Sequence, residues 1–305
     1  MPRFPKLLPM ASILAVLLVL SSGCGDDDDP TPRDFTLRFQ AVDGGTTIGC
    51  GTVMSGFGSD GESTVEVSDL RFYVSNLRFF DASGDPVTID LDENDFQYSS
   101  PEGSVALLDL TGTVAGACGT AELEGTARTN GIITGTYTGN DVTRVTFDVG
   151  VPQAVMKKVI ANNTAEGAPS PLAEMHWSWA GAYRHLVMNF AIVDGEGVGG
   201  EGFVHVGSTG CGGDGTKALT DRDECNRINA PAVSLASFDL ESDVVALDVR
   251  ELLEGIALKD GNNAPGCGCH SFTTQADCAG IFSNLGLTLA TGASNAALDE
   301  VFKVK

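Results

Sequence analysis

The histidines and tryptophans of this chain are few and unevenly distributed. Four histidines and two tryptophans occur in 305 residues, and both tryptophans and two of the histidines lie in EMHWSWAGAYRHLVMNF, residues 174–190. The other two histidines occur in the strings FVHVGSTGC and CGCHS. Imidazole nitrogen, thioether sulfur and thiolate are the ligands that copper prefers, so these strings indicate a metal or redox site. The alternative is a plain hydrophobic strand whose histidines are hydrogen-bonded to carbonyl groups or to water.

Other kinds of chemistry have little support in the sequence. No G-x-S-x-G elbow, phosphate-binding loop or H-E-x-x-H motif occurs, so we expect that the protein is not an enzyme. The string DLDEND places Asp90, Asp92 and Asn94 at alternate positions, as a calcium loop does, but it lacks the glycine and the distal glutamate of such a loop. We therefore expect a turn there rather than a calcium site.

The charge balance excludes one class of partner. The chain has 18 Lys and Arg residues against 41 Asp and Glu residues, a formal net charge of −23. Such a surface repels phosphate backbones, and the sequence has no basic stripe, so we expect no nucleic-acid binding. An acidic surface instead attracts cations or a basic partner.

The N-terminus has the pattern of a targeting segment. Arg3 and Lys6 precede the apolar run ASILAVLLVL, which is too short to span a membrane, and the string SSGC follows at once. Residues 1–23 resemble a bacterial lipoprotein signal peptide, with Leu20 one position earlier than usual and Cys24 as the lipidated residue. Soluble secretion is the alternative. Residues 24–34 are expected to form an acidic, proline-containing tether. The expected location is periplasmic or outer-membrane and extracytoplasmic, with attachment to the membrane through the lipid.

The eight cysteines indicate an oxidising compartment. If Cys24 carries lipid, seven remain, and one thiol is then unpaired or binds something. The short spacing predicts a local bridge between Cys211 and Cys225, and a second bridge from Cys278 to one of its two neighbours in GCGC. The full connectivity cannot be deduced from spacing. The disulfide candidates are Cys50, Cys118, Cys211, Cys225, Cys267, Cys269 and Cys278.

Period-two alternation predicts the fold. In DFTLRFQAV the apolar residues Phe35, Leu37 and Phe39 share one face, and similar runs bounded by Gly, Asp or Asn recur along the chain. We predict an all-β protein, an antiparallel β-sandwich of Greek-key type with Gly-rich loops, disulfides and at most short helices. The best helix signal is LDVRELLEGI, with Asp248 as N-cap and Gly255 as the stop. Residues 35–305 are expected to form one domain with a Cys-rich C-terminal loop region.

Six strings occur in an order that is seen in a known family. They are DLRFYVSNLRFF, FQYSSPEGSVALLDLTG, FDVGVP, SPLAEMHWSWAGAYRHLVMNF, FVHVGSTGC and CNRINAPAVSLASFDL. Over most of residues 35–290 the chain thus resembles the MbnP-like, methanobactin-associated proteins, also described as metallo-mystery pair four-Cys proteins.

The resemblance implies a function as well as a fold. Family members are periplasmic or surface-attached β-proteins that bind copper. They are encoded beside a dihaem, cytochrome-c-peroxidase-like partner that oxidises a tryptophan to kynurenine near the copper. Carried over to this chain, the resemblance makes His176 and His205 candidate copper ligands. It makes Trp177 and Trp179 the candidates for oxidation.

The chain departs from the family pattern at three places. The family often has an Asn-His-x-Asp string where this chain has Asn163 and no histidine. His185 stands where the family usually has an aromatic residue, and is a third candidate ligand. The string CGCHS has one cysteine more than expected and adds a histidine; the extra thiol is a soft copper ligand, an intermolecular bridge or an inert thiol. If the family histidine is a copper ligand, the resemblance implies a weakened or altered site in this chain. The alternative function is an anchored recognition or structural module without metal.

Overall fold

Buried and exposed residues alternate along the strands of this protein. The computed structural model describes residues 31–111, 128–162, 168–177, 182–211, 225–259 and 262–305, and Pro32–Lys305 form one compact unit. In the first strand Phe35, Leu37 and Phe39 are buried and the residues between them are more exposed. The predicted all-β class with only short helices is confirmed.

The described residues form eighteen strands and three helices. The strands are β1 Arg33–Asp43, β2 Thr46–Thr47, β3 Val53–Phe57, β4 Ser63–Phe80, β5 Pro86–Leu91, β6 Gln97–Ser100, β7 Gly103–Asp109, β8 Ile132–Thr138, β9 Arg144–Val149, β10 His176–Trp177, β11 Ala182–Val193, β12 Gly199–Gly207, β13 Ala232–Ala236, β14 Val244–Asp248, β15 Gly266–Cys269, β16 Leu285–Leu287, β17 Ser294–Asp299 and β18 Phe302–Val304. The helices are α1 Gln153–Asn162, α2 Val249–Leu252 and α3 Ala276–Asn284.

One long strand organises the sheet. The main path runs β15-β12-β11-β4-β5-β8-β1-β14-β18, and β4 also pairs with β3, β7 and β9. The register of β4 against β9 shifts between Ser75 and Arg78, beside Asn76 with φ 50°. The curled sheet encloses the main core, in which the Phe39 ring lies 5.9 Å from both Phe72 and Phe147. Most pairs are antiparallel as expected, but β1–β14 and β12–β15 are parallel.

A second, smaller apolar cluster lies apart from the main core. It contains Tyr73 of β4, Tyr183 and Val187 of β11, and Val155 and Met156 of α1. These residues alternate along their strands with main-core residues, so they cover the opposite sheet face. The sequence analysis did not predict α1, because its apolar stripe is short. The second cluster is the layer that supports the site described below.

The helix signal at Asp248 is confirmed in α2. The Asp248 side chain accepts a hydrogen bond from the backbone N–H of Arg250 at 3.1 Å, and Gly255 follows with φ 72°. The DLDEND segment contains the end of β5 and then the expected turn, in which the Asn94 side chain accepts from the backbone N–H of Phe96 at 2.8 Å. Among the described residues, no helix combines the length and apolarity needed to cross a bilayer.

Both short-range disulfides are formed as predicted. Cys211 bonds Cys225, and Cys269 bonds Cys278. Cys50 is also disulfide-bonded, whereas Cys24 and Cys118 lie outside the described residues. Among the described cysteines, Cys267 has the free thiol, and it is buried.

Candidate metal centre

Two histidines meet near one edge of the sheet. His205 lies on β12, and His270 directly follows β15, which runs parallel to β12 with Gly268 opposite Phe203. The Nδ1 atoms of His205 and His270 are 3.1 Å apart. Gly268 permits this arrangement, because a Cβ there would lie 2.8 Å from the Phe203 ring. The Phe203 ring instead stacks on His270 with a centroid distance of 4.1 Å.

The electrostatic surroundings keep His205 neutral. Its side chain is only 8% exposed, and burial, together with the charge of Arg184, lowers its pKa to about 3. Its Nε2 lies 2.8 Å from Oδ1 of Asn189. The neutral imidazole is the form that binds metals, so His205 can act as a ligand without first losing a proton at neutral pH.

The separation of the two nitrogens agrees with binding of one ion. Imidazole nitrogens bind first-row metal ions such as zinc at about 2.0–2.1 Å, so two on one ion lie no more than about 4.2 Å apart. The distance between the two Nδ1 atoms, 3.1 Å, is within this bound. Within the described residues, no group of three or more His, Cys, Asp or Glu side chains could hold a metal ion. Within the described residues, the candidate site therefore consists of two imidazole donors, those of His205 and His270.

His185 faces other groups. Its Nε2 lies 3.2 Å from Oγ of Ser208, and its Nδ1 lies 3.4 Å from the carbonyl oxygen of Asn229. Its ring packs on Gly150, where a Cβ would lie 2.6 Å from Nδ1. Burial lowers its pKa to about 4. These contacts are those of a core histidine whose two nitrogens face protein groups rather than the histidine pair.

His176 lies on β10, the short strand that pairs with the beginning of β11. It pairs with Tyr183 across β10 and β11, and the two rings are 5.5 Å apart. His205 pairs with Val187 of β11. The two register positions therefore differ by four residues, or about 13 Å of extended strand. The structure thus relates His176 to the histidine pair through their common pairing with β11.

The remaining candidates from the sequence are only partly visible. The backbone of Trp177 pairs with Ala182, but its side chain lies outside the described part of the structure. Trp179 and Asn163 also lie outside the described residues. The choice of the oxidised tryptophan therefore stays a prediction.

The extra thiol of GCGC points away from the histidine pair. Cys267 and Cys269 are both in the main core, whereas the intervening Gly268 faces Phe203, so His270 and Cys267 lie on opposite faces of β15. Burial, together with the nearby carboxylate of Asp277, raises the pKa of the Cys267 thiol to about 12. Since the thiolate is the metal-binding form, these observations favour the inert thiol among the three alternatives.

Cys267 should therefore make stability sensitive to alkali. Because its pKa in the fold lies above the ordinary value of 9.0, its contribution is complete below pH 9 and is lost as the pH rises towards 12. Between pH 9 and 11 the free energy of unfolding should fall about 1.4 kcal/mol per pH unit more steeply in the wild-type protein than in Cys267→Ala. Urea unfolding at a series of pH values measures this difference. Parallel curves for the two proteins would contradict the protonated buried thiol.

His270 is the site residue that sequence reasoning left outside its ligand set. It was visible only as an addition to a cysteine-rich string, 65 positions from His205. Its partner is set by the parallel pairing of β12 and β15, which has no local sequence signal. The glycine at 268, with no side chain opposite Phe203, is a feature that could have indicated close approach of another ring.

The fold and this site define an all-β, disulfide-bonded protein with a histidine pair, of a buried His205 and a half-buried His270, near one edge of its sheet. The MbnP family matches residues 32–271, and the chain belongs to this family. Among solved structures it is similar to MbnP from Methylosinus trichosporium, with 26% sequence identity and a TM-score of 0.70 over 90% of this chain and 98% of that chain. The comparison with curated proteins gave no match.

Proposed function

We propose that this protein is an extracytoplasmic copper-binding protein in which His205 and His270 hold the metal. The observation that carries the proposal is the 3.1 Å separation of their Nδ1 atoms, together with the neutral state of His205. His176 is the further candidate ligand that family membership supports. Copper bound there would supply a one-electron redox centre, and the chain itself would act as a carrier or store rather than as a catalyst.

The chemistry of the donors favours copper over hard cations. Calcium and magnesium require several oxygen ligands, whereas the described pair presents two imidazole nitrogens. Asp69, a buried acid on this face, is engaged by Arg71 at 2.6 and 2.8 Å. Imidazole suits copper, and copper stands at the top of the divalent affinity series for nitrogen ligands.

We further propose that the chain is the substrate of a dihaem, cytochrome-c-peroxidase-like enzyme that oxidises Trp177 or Trp179 to kynurenine. Family membership supports this role, and so does the position of Trp177 beside His176 on the strand that pairs with β11. An electron-rich indole is readily oxidised by a remote haem, and the modified residue would then lie on the sequence segment that carries a candidate ligand. A lipid on Cys24 would hold the domain at the outer membrane.

The first experiment is the copper content of the protein isolated gently from its native membranes. Near-stoichiometric copper, in excess of zinc and other metals, is the result we expect. Metal-free protein that also fails to take up Cu(I) in vitro would overturn the proposal and favour an anchored recognition module. The same preparation, digested and analysed by mass spectrometry, reports whether a kynurenine-containing peptide is present.

The two tryptophans can be distinguished by matched substitutions. Trp177→Phe and Trp179→Phe each retain an aromatic ring but remove the indole. If oxidation assists copper binding, one of the two variants should lose both the kynurenine peptide and most of the copper, while the other retains both. Co-expression with the dihaem partner, followed by peptide mass and metal analysis, measures the outcome. Full copper in both variants would show that oxidation of either residue is not needed for binding.

A further inference from the structure

A row of buried and half-buried polar side chains leads away from His205 across the sheet. Asn189 of β11 lies opposite Asp69 of β4, so their side chains share a face with His205. The Oδ1 atom of Asn189 is 2.8 Å from Nε2 of His205, and its Nδ2 atom is 3.5 Å from Oδ2 of Asp69. One amide thus lies between the candidate ligand and a buried carboxylate.

The carboxylate determines how the amide is oriented. Arg71, two residues after Asp69 on the same strand and therefore on the same face, donates Nε to Oδ1 at 2.8 Å and Nη2 to Oδ2 at 2.6 Å. Burial raises the pKa of Asp69 to about 6 against the opposing effect of Arg71, so the group is largely ionised at neutral pH and only accepts hydrogen bonds. The NH₂ group of Asn189 must then face Asp69, which leaves its oxygen for His205.

This orientation determines the tautomer of His205. An amide oxygen can only accept, so His205 must donate from Nε2. The lone pair of the neutral ring is then on Nδ1, the atom that faces His270 at 3.1 Å. Metal-binding histidines are commonly held in this way, by a hydrogen bond from the nitrogen that does not bind the metal.

Arg71 also reaches the segment that carries His176. Its Nη1 lies 3.7 Å from Oε2 of Glu174, and Oε1 of Glu174 lies 3.3 Å from Nη1 of Arg128. Glu174 is two residues before His176. The Arg71 side chain is only 2% exposed. This buried guanidinium links β4 to the loop that leads into β10.

We propose that Asp69, Arg71 and Asn189 are positioning residues of the copper site: Asn189 fixes the tautomer of His205, and Arg71 holds both Asp69 and the Glu174 segment. This inference rests on the proposed copper function for its consequence, but its geometric part concerns the metal-free protein. None of the three side chains is required to touch the metal.

The test begins with the imidazole nitrogens of the metal-free protein, observed by ¹⁵N NMR. In the wild-type protein we expect His205 to carry its proton on Nε2. In Asn189→Ala both tautomers should appear, and the Kd for Cu(I) should rise roughly 10- to 100-fold. The exchanged pair Asp69→Asn with Asn189→Asp keeps one carboxylate and one amide, and should restore the Nε2–H tautomer and much of the affinity. Ser68→Ala is the matched control, because it removes a 3.0 Å hydrogen bond to the backbone carbonyl of Asn189 without altering the amide.

The possible failures can be distinguished. A wild-type His205 protonated on Nδ1 would overturn the positioning role whatever the copper affinity. An unchanged Kd in folded Asn189→Ala would overturn it as well, as would an equal loss of affinity in Ser68→Ala. The expected tautomers in a wild-type protein that binds no copper would overturn the proposed function instead, and with it the ligand role of His205.

Discussion

Replacement of either member of the histidine pair should abolish most copper binding. In His205→Ala and in His270→Ala we expect the Kd for Cu(I) to rise more than about 100-fold, since the loss of a partner behind a ligand already costs 10- to 100-fold. Each variant removes one of two nitrogens that lie 3.1 Å apart. Competition with a Cu(I) chelator measures the effect, and circular dichroism establishes that the variants are folded.

The other histidines provide the controls. His185→Gln retains a polar side chain beside Ser208 and Asn229, and should reduce stability without a comparable change in copper affinity. His176→Gln tests the further candidate: a loss as large as that of His205→Ala would add His176 to the ligand set. Wild-type affinity in folded His270→Ala would contradict the pair as the site, and a loss confined to His176→Gln and His185→Gln would move the site to β10 and β11.

The local features of this fold could be predicted from sequence, and the long-range ones could not. The alternation of Phe35, Leu37 and Phe39 with polar residues indicates a strand, because alternate residues of a strand lie on the same face. The bridge between Cys211 and Cys225 could be predicted because it closes a short loop. The parallel register of β12 and β15 depends on how distant segments pack, and no residue in either strand specifies its partner.

The same distinction holds within the candidate site. His205 could be selected from its string because the family resemblance marks it, and Asp69 and Arg71 fall on one face by simple alternation. The contact of Asp69 with Asn189 could not be foreseen, because it depends on the register of β4 against β11, which shifts between Asn189 and Phe190. His270 depends on the packing of a ring over Gly268. A site that assembles from four separate strands or strand ends is therefore visible in sequence only as scattered residues.

Removal of the buried guanidinium should have the largest effect on stability. Arg71→Met leaves the carboxylate of Asp69, which is fully buried, without its bidentate partner. Breaking a buried ion pair in this way costs about 3–5 kcal/mol, because an uncompensated charge stays in the interior. Urea unfolding at neutral pH measures the change in the free energy of unfolding. The contact with Glu174 is lost in the same variant, so the segment before His176 should also become more susceptible to proteolysis.

Two companion variants identify the cause of that loss. In Asp69→Leu with Arg71→Met both charges are replaced by apolar groups, and most of the stability should return, since a buried ion pair is frequently no better than a hydrophobic pair. Lys158→Met breaks a pair of similar length with Glu102, 2.6 Å, but this pair lies at the surface and its loss should have little effect.

If Arg71→Met were no more destabilised than Lys158→Met, the carboxylate of Asp69 would be reached by water or uncharged. The chain from Arg71 through Asn189 could then not orient His205. The stability of this one variant thus bears directly on how the histidine pair is held.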